Sequence, residues 1–361
     1  MALSIGIVGL PNVGKSSLFN ALSRAKANVS NYPFCTIDPN VGVVEVPDER
    51  LQVLTQIFTS KKTVPTYIEF YDIAGLVKGA AEGEGLGNKF LSHIREVDAI
   101  AHVVRCFENA DIVHVAGHVD PKRDIEIINL ELNLADLSQV DKKLSFVKSR
   151  AKTGDKTLLK ELDILQKLKD GLEKGIPARG IKLTDDEKLA IKDLSLLTIK
   201  PVLYVANVDE SGNAENVALI GKIASEEGAS VITISSKLEA EIAELSPEDA
   251  KSFLVEMGLN ESALNKLIHS GYQLLNLITF FTAGEKESRA WTITKGTKAP
   301  QAAAKIHTDM ERGFIAAEVV HYPDMLECKS FAVAREKGLL HTEGKNYEVL
   351  DGDIMIIRFN V

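Results

Sequence analysis

Residues 4–16 read SIGIVGLPNVGKS, a β-branched apolar run that breaks at Gly9, crosses a short loop and meets Gly14, Lys15 and Ser16. The run has the composition of a buried strand. From Lys15 onward Leu18, Ala21, Leu22 and Ala25 recur at helical spacing. A strand, then G-x-x-x-x-G-K-[ST], then a helix is the order of a phosphate-binding loop. Each part has a physical task. The glycines let the backbone wrap an anion, so that N–H groups from Val13 through Gly14, Lys15 and Ser16 to Ser17 point at phosphate oxygens. The helix N-terminus adds its dipole. Lys15 supplies a point charge to the β- and γ-phosphates, and the Ser16 hydroxyl is a Mg²⁺ ligand. A strand-to-helix turn without a ligand is the plainer alternative.

Working outward, Val41 to Val46, Tyr67 to Tyr71 and Ala99 to Val104 are further strand candidates, with a helix over Leu86 to Glu96. Val202 to Ala206 and Val231 to Ile234 flank a helical stretch around Ile220 to Ala224. Strands alternating with helices predict a largely parallel, doubly covered sheet, an α/β fold. Asp72-Ile-Ala-Gly75 closes the third strand, placing a carboxylate beside the metal and a glycine amide near the γ-phosphate. Thr36, in the loop before the second strand, either completes the Mg²⁺ shell or is a surface threonine. Gly75, Gly79, Gly83, Gly85 and Gly87 then crowd one segment, which either orders on the γ-phosphate or serves as a flexible linker.

The alternation stops between about Ile125 and Lys200. Leu137, Val140, Leu144, Val147 and Ala151 follow coiled-coil spacing, and Leu158, Leu162, Leu165, Leu168 and Leu172 repeat it after a polar turn. The two predict an antiparallel helical hairpin inserted into the α/β domain, followed by a third helix that opens on a Thr184–Glu187 capping box and runs towards Leu197. Past Thr279, strands are expected at Arg289 to Ile293, Phe314 to Val320, Asn346 to Leu350 and Ile354 to Phe359, with a helix over Pro300 to Met310. These make a small α+β domain.

Composition narrows the class. The chain has 361 residues, 45% hydrophobic and 26% charged, which excludes wholesale disorder and disulfide-stapled scaffolds. No stretch approaches the ~18 uncharged apolar residues of a membrane span, so no membrane partner is expected. Met1 to Leu10 lacks a basic start and reads as the first strand, not as a signal peptide. Three cysteines without metal-like spacing suit a reducing cytosol. The net charge of −9 argues against general nucleic-acid affinity, yet residues 141–174 hold ten Lys and Arg against six acids. That stretch is either a solvated face or an RNA-facing arm.

With the Asn31-to-Ile37 loop and Asn207-Val-Asp-Glu210, these parts make the chain similar to the Obg-like ATPase family, also called YchF, of translation-factor-class P-loop NTPases. The resemblance spans the whole chain. It implies a Ras-like P-loop domain over 1–125 and 199–277, an inserted helical domain over 126–198, and a TGS-like β-grasp domain over 278–361. It further implies a cytoplasmic, Mg²⁺-dependent nucleoside triphosphate hydrolase that binds ribosomes or ribosomal RNA through the arm and the TGS-like domain. A guanine site of the N-K-x-D type has Lys and Asp where this chain has Val208 and Glu210, so the resemblance implies ATP over GTP. On this reading Asn207 and the backbone near Val208 meet the adenine edge, and the loop from Ser235 approaches the base. Leu76 stands where many GTPases place a water-orienting Gln. Turnover should then be slow, and His114 is either a helper of the attacking water beside Lys15 or a solvated loop histidine. The Asn12 amide could hold a K⁺ ion or simply shape the loop. A GTP-specific enzyme and a nucleotide sensor without turnover remain the competing readings.

Overall fold

The computed structural model describes residues 3–24, 40–73, 88–109, 118–151, 155–209 and 212–360. By its contacts the chain divides into two compact units, Met1–Val43 with Glu69–Leu267, and Val44–Ile68 with Ile268–Val361.

The first unit opens with β1 (Ser4–Val8), α1 (Lys15–Arg24) and β2 (Val41–Glu45). Next come α2 (Glu49–Ile57) and β3 (Thr63–Val64), which belong to the second unit. The chain returns through β4 (Tyr67–Asp72), α3 (Asn88–Glu96) and β5 (Ala99–Arg105). Then follow α4 (Pro121–Ala151), α5 (Lys156–Glu173), the short α6 (Asp185–Ala190), β6 (Val202–Asn207), α7 (Ala214–Glu227) and β7 (Ser230–Ile234). After these come α8 (Ser236–Ile242), α9 (Pro247–Glu256) and α10 (Ala263–Leu274). Strand order is β2-β4-β1-β5-β6-β7. β1 pairs in parallel with β4 and β5, and β5, β6 and β7 continue in parallel. Every residue of β1, β5 and β6 is buried, as a sheet covered on both faces demands.

One helix serves two cores. The first half of α4 places Ile125, Ile128 and Leu132 among Val104, Tyr204, Ile220 and Ala224 beside the sheet. Its second half packs Val140, Leu144 and Val147 on Leu165, Leu168 and Leu172 of α5, with Ile191 and Leu194 closing the hairpin. A boundary at 126 therefore cuts through a continuous helix. Asp136 lies where the halves meet, fully buried. Its carboxylate accepts the Leu197 N–H at 2.8 Å, and the Thr198 N–H and hydroxyl at 2.8 and 2.7 Å, fixing the returning chain to α4. Burial pushes the Asp136 carboxyl above its usual range, the three donated hydrogen bonds pulling the other way. The Thr184–Glu187 capping box forms, but the third helix stops at Ala190 and a 3₁₀ turn over Lys192–Leu194 follows, instead of a helix towards Leu197.

The second unit contains β8 (Leu277–Ala283), β9 (Ser288–Thr294), α11 (Ala299–Ile306), α12 (Thr308–Arg312) and β10 (Phe314–Val320). It continues with α13 (Tyr322–Cys328), α14 (Phe331–Glu336), β11 (His341–Glu343) and β12 (Ile354–Phe359). The order β11-β10-β12-β8-β9-β3 sets β8 and β12 side by side in parallel, flanked by antiparallel neighbours. Ala299, Ala302 and Ala303 of α11 pack into the same core as Phe280 and Ile293, giving the mixed sheet and crossing helix of a β-grasp. Two expectations change. The helix foreseen over Pro300 to Met310 breaks at His307, whose backbone is extended and whose side chain caps α12 by accepting the Asp309 N–H. Asn346 to Leu350 is not a strand. Asp353 holds the Leu350 N–H and the Tyr347 hydroxyl at 2.9 and 2.8 Å, drawing that stretch into a loop.

Segment 44–68 is integral to this unit. Leu51 and Leu54 lie in a core with Phe281, Val320, Met325 and Ile354. Arg50 pairs with Asp48 at 2.8 Å and Asp351 at 2.7 Å. Among the described residues no helix is long and apolar enough to cross a membrane.

Candidate functional site

The loop between β1 and α1 is shaped by two glycines that tolerate no side chain. Gly9 has φ +149°, and a Cβ there would lie 2.3 Å from the Val103 carbonyl oxygen. Gly14 has φ +99°, and its Cβ would lie 2.1 Å from Asn207 Nδ2. Asn12 takes a left-handed φ of 61°, a conformation asparagine tolerates better than most residues, so it shapes the loop whatever else it does. Val13 is buried beneath the loop, while Ser16 and Ser17 are exposed on the first turn of α1. No acid stands in that turn to neutralise the helix dipole.

Lys15 is 7% exposed, and its ammonium donates to the Leu10 carbonyl within the loop. Burial lowers its pKa to about 8, with the negative charge of Asp72 working against that shift. Asp72 ends β4 directly opposite Ile7 of β1, so sheet register brings the carboxylate to the loop. Ser16 and Asp72 offer only oxygen donors, a chemistry that fits a hard cation such as Mg²⁺. Thr36, Gly75, Glu210 and His114 lie outside the described residues.

Asn207 is the residue whose position the sequence reading did not foresee. At the end of β6 it is 3% exposed. Its Nδ2 donates to the Val13 carbonyl at 2.8 Å and its Oδ1 accepts the Ser236 N–H at 2.9 Å. Its backbone carbonyl accepts from the Cys106 N–H at 2.8 Å. The side chain therefore braces the phosphate loop against the start of α8. The neighbouring Val208 N–H is committed to the Ile234 carbonyl at 2.9 Å, and its side chain packs partly on the sheet core. Ser235 caps α8 by accepting the Leu238 N–H. Ser236 is buried beside Gly14, its hydroxyl without a partner among the described residues. His102 also escaped notice. It is fully buried on β5 next to Val8, and burial together with the Arg179 and Lys15 charges lowers its pKa to about 3, holding it neutral.

A family model described as "50S ribosome-binding GTPase" matches residues 4–148. A second, the YchF-type GTPase C-terminal model described as a protein of unknown function, matches residues 277–360. The chain is 58% identical over 367 residues to the Ribosome-binding ATPase YchF of Bacillus subtilis (strain 168), covering 100% of both. The chain belongs to the YchF family. Identity to the Escherichia coli O157:H7 YchF is 52% over 363 residues, again across 100% of both chains. The solved YchF GTPase of Schizosaccharomyces pombe superposes with a TM-score of 0.91 at 41% identity, covering 99% of this chain and 97% of that one. A GTP binding protein from Pyrococcus horikoshii OT3, at 20% identity and a TM-score of 0.64 over 99% of this chain and 100% of its own, shares the fold. YchF membership accounts for the Ras-like sheet, the inserted hairpin and the C-terminal mixed sheet together.

Proposed function

We propose that this chain is a cytosolic ribosome-binding ATPase, an enzyme that hydrolyses ATP in preference to GTP and switches state with the nucleotide. The full-length kinship to ribosome-binding ATPases carries this reading, and a buried lysine beside Asp72 in a glycine-walled loop supports it. Loop amides from Asn12 to Ser17 bind and orient the phosphates, and Lys15 leaves the Leu10 carbonyl to meet the anion. Ser16, Thr36 and Asp72 would hold Mg²⁺, which when bound neutralises charge on the β- and γ-phosphates. The Gly75 amide would face the γ-phosphate. His114 and a K⁺ ion held at Asn12 are the proposed aids to hydrolysis in a site where Leu76 cannot orient water.

In base selection, Asn207 acts first as a brace, because both polar ends of its side chain already have partners. Discrimination then rests on Val208, Glu210 and the Ser235 loop. Without the Lys stem over the ring and with a longer carboxylate, the two guanine donors are poorly met. A polar edge left unpaired in a closed site costs about 1–3 kcal/mol. ATP should therefore bind several-fold or more tightly than GTP, and Val208→Lys with Glu210→Asp should move the ratio towards GTP. Calorimetric titration of both nucleotides under identical Mg²⁺ and K⁺ measures this, and equal affinities would reject the preference. The arm and the TGS-like domain are the proposed ribosome contacts. Single-turnover hydrolysis with and without ribosomes separates an enzyme from a sensor that never turns over.

A further inference from the structure

The basic excess of the hairpin is unevenly spent. Near the root, Lys143 pairs with Asp193 at 2.8 Å and Glu161 at 3.3 Å, Lys167 with Glu187 at 3.5 Å, and Lys169 with Asp141 at 2.7 Å. These charges are internal to the arm. As α4 runs on to its end and α5 starts, Lys142, Lys148, Arg150, Lys156 and Lys160 are matched by a single acid among the described residues of 142–160, Asp155, which caps α5. Lys142, Lys148, Lys156 and Lys160 make no ion pair among the described residues.

Amid these lysines stands an aromatic ring that the fold does not use. Phe146 is 51% exposed, off the Val140–Leu144–Val147–Ala151 seam that packs on α5. Lys142, Phe146 and Arg150 succeed one another every four residues and so share one face of α4. The Arg150 guanidinium lies 4.2 Å from the Phe146 ring centroid. Exposing a phenylalanine forgoes the hydrophobic gain that its burial would bring. The seam residues already hold the hairpin without it.

The geometry points to the end of this arm as a platform for an unpaired RNA base, stacked on Phe146 and backed by Arg150, with the flanking phosphates drawn by Lys142, Lys148, Lys156 and Lys160. The charge favours a polyanion, and the ring selects among polyanions. Duplex RNA buries its base faces and an acidic peptide has none, whereas a loop or bulge presents a flat π-face between phosphates. Arg150, beside that ring, adds a cation–π partner for such a base. The inference rests on the proposal that the arm meets ribosomal RNA, and it names what the arm reads there.

The test uses the full chain, fluorescence anisotropy, and two labelled probes: an oligoadenylate of about 12 nucleotides and a blunt RNA duplex of similar charge. The single strand should bind more tightly. Phe146→Ala should weaken it about tenfold while leaving the duplex unchanged, and Phe146→Trp should restore it. Because Phe146 is outside the seam and far in sequence from the phosphate loop, basal ATP hydrolysis should not move in either variant. Lys142→Glu with Lys148→Glu should weaken both probes and flatten the salt dependence. If Phe146→Ala binds the single strand like the parent while charge reversal weakens it, the stacking platform is wrong and the RNA-facing arm stands. If charge reversal changes neither probe, the RNA-facing arm itself fails. Competition by oligoglutamate as effective as by oligoadenylate would also overturn the inference, reducing the surface to a general polyanion site.

Discussion

Lys15 sets the chemistry of the site at the level of one side chain. A lysine whose pKa falls to about 8 in the free protein is partly neutral at mildly alkaline pH. Triphosphate restores the charged form, so binding must take up a proton wherever the free group has lost one. At pH 8 the uptake should be about half a proton per nucleotide, rising with pH, and affinity should weaken as pH climbs above 8. For stability the direction is opposite. A depressed folded-state value costs the fold stability: the cost builds as pH falls from the ordinary lysine value towards about 8, is fully present below that, and is relieved as pH rises again. Calorimetry at pH 8 in two buffers of different ionisation enthalpy reads the uptake directly, and buffer-independent heats would show that Lys15 stays charged. None of this is visible in the G-K-S triplet, because both the burial of Lys15 and the approach of Asp72 arise only in the folded chain. The brace at Asn207 was hidden for a similar reason, since its partner Val13 is 194 residues away.

At the scale of elements, α4 shows what periodicity can and cannot tell. Its apolar spacing gave away the hairpin, but the same stripe continues upstream into the sheet's core, so the helix starts before the arm does. Asp136 marks the join. Three donors converge on its two oxygens, and an amide in its place would turn one of those oxygens into a donor facing an N–H. Asp136→Asn removes a buried charge, which alone would help. A donor set against a donor in a dry site costs about 1–3 kcal/mol, and that effect should win. The expected result is a melting temperature lower by several degrees, roughly 2–4 °C per kcal/mol for a unit of this size. A variant as stable as the parent would show that desolvation of the carboxylate dominates. Elsewhere, local signals misled where a tertiary partner intervened. Asn346 to Leu350 alternates like a strand, but no sequence pattern reveals that Asp353 will take its Tyr347 hydroxyl and Leu350 N–H. The phosphate loop and its parallel strands were legible because their signals are local, a glycine pattern bounded by apolar runs.

For the whole molecule, the less visible fact is that the C-terminal unit is built from two separated stretches. A fragment of residues 278–361 alone would lack Leu51 and Leu54 of its second core and the Arg50 partner of Asp351. Losing a single buried leucine side chain commonly costs 2–5 kcal/mol, roughly as much as a small domain can spare. Such a fragment should melt without a cooperative transition, whereas one joining 44–68 to 268–361 should melt cooperatively. Circular dichroism melts of the two decide it, and equal transitions would mean that the inserted segment is dispensable. The same construction bears on synthesis. Arg50 leaves the ribosome 301 residues ahead of Asp351, its partner. At about 5–20 residues per second, Leu51 and Leu54 wait roughly 15–60 s for the strands that will cover them. For that interval the nascent chain carries an uncovered apolar helix inserted between strands of the nucleotide sheet, so chaperone dependence should last until the final hundred codons have been read.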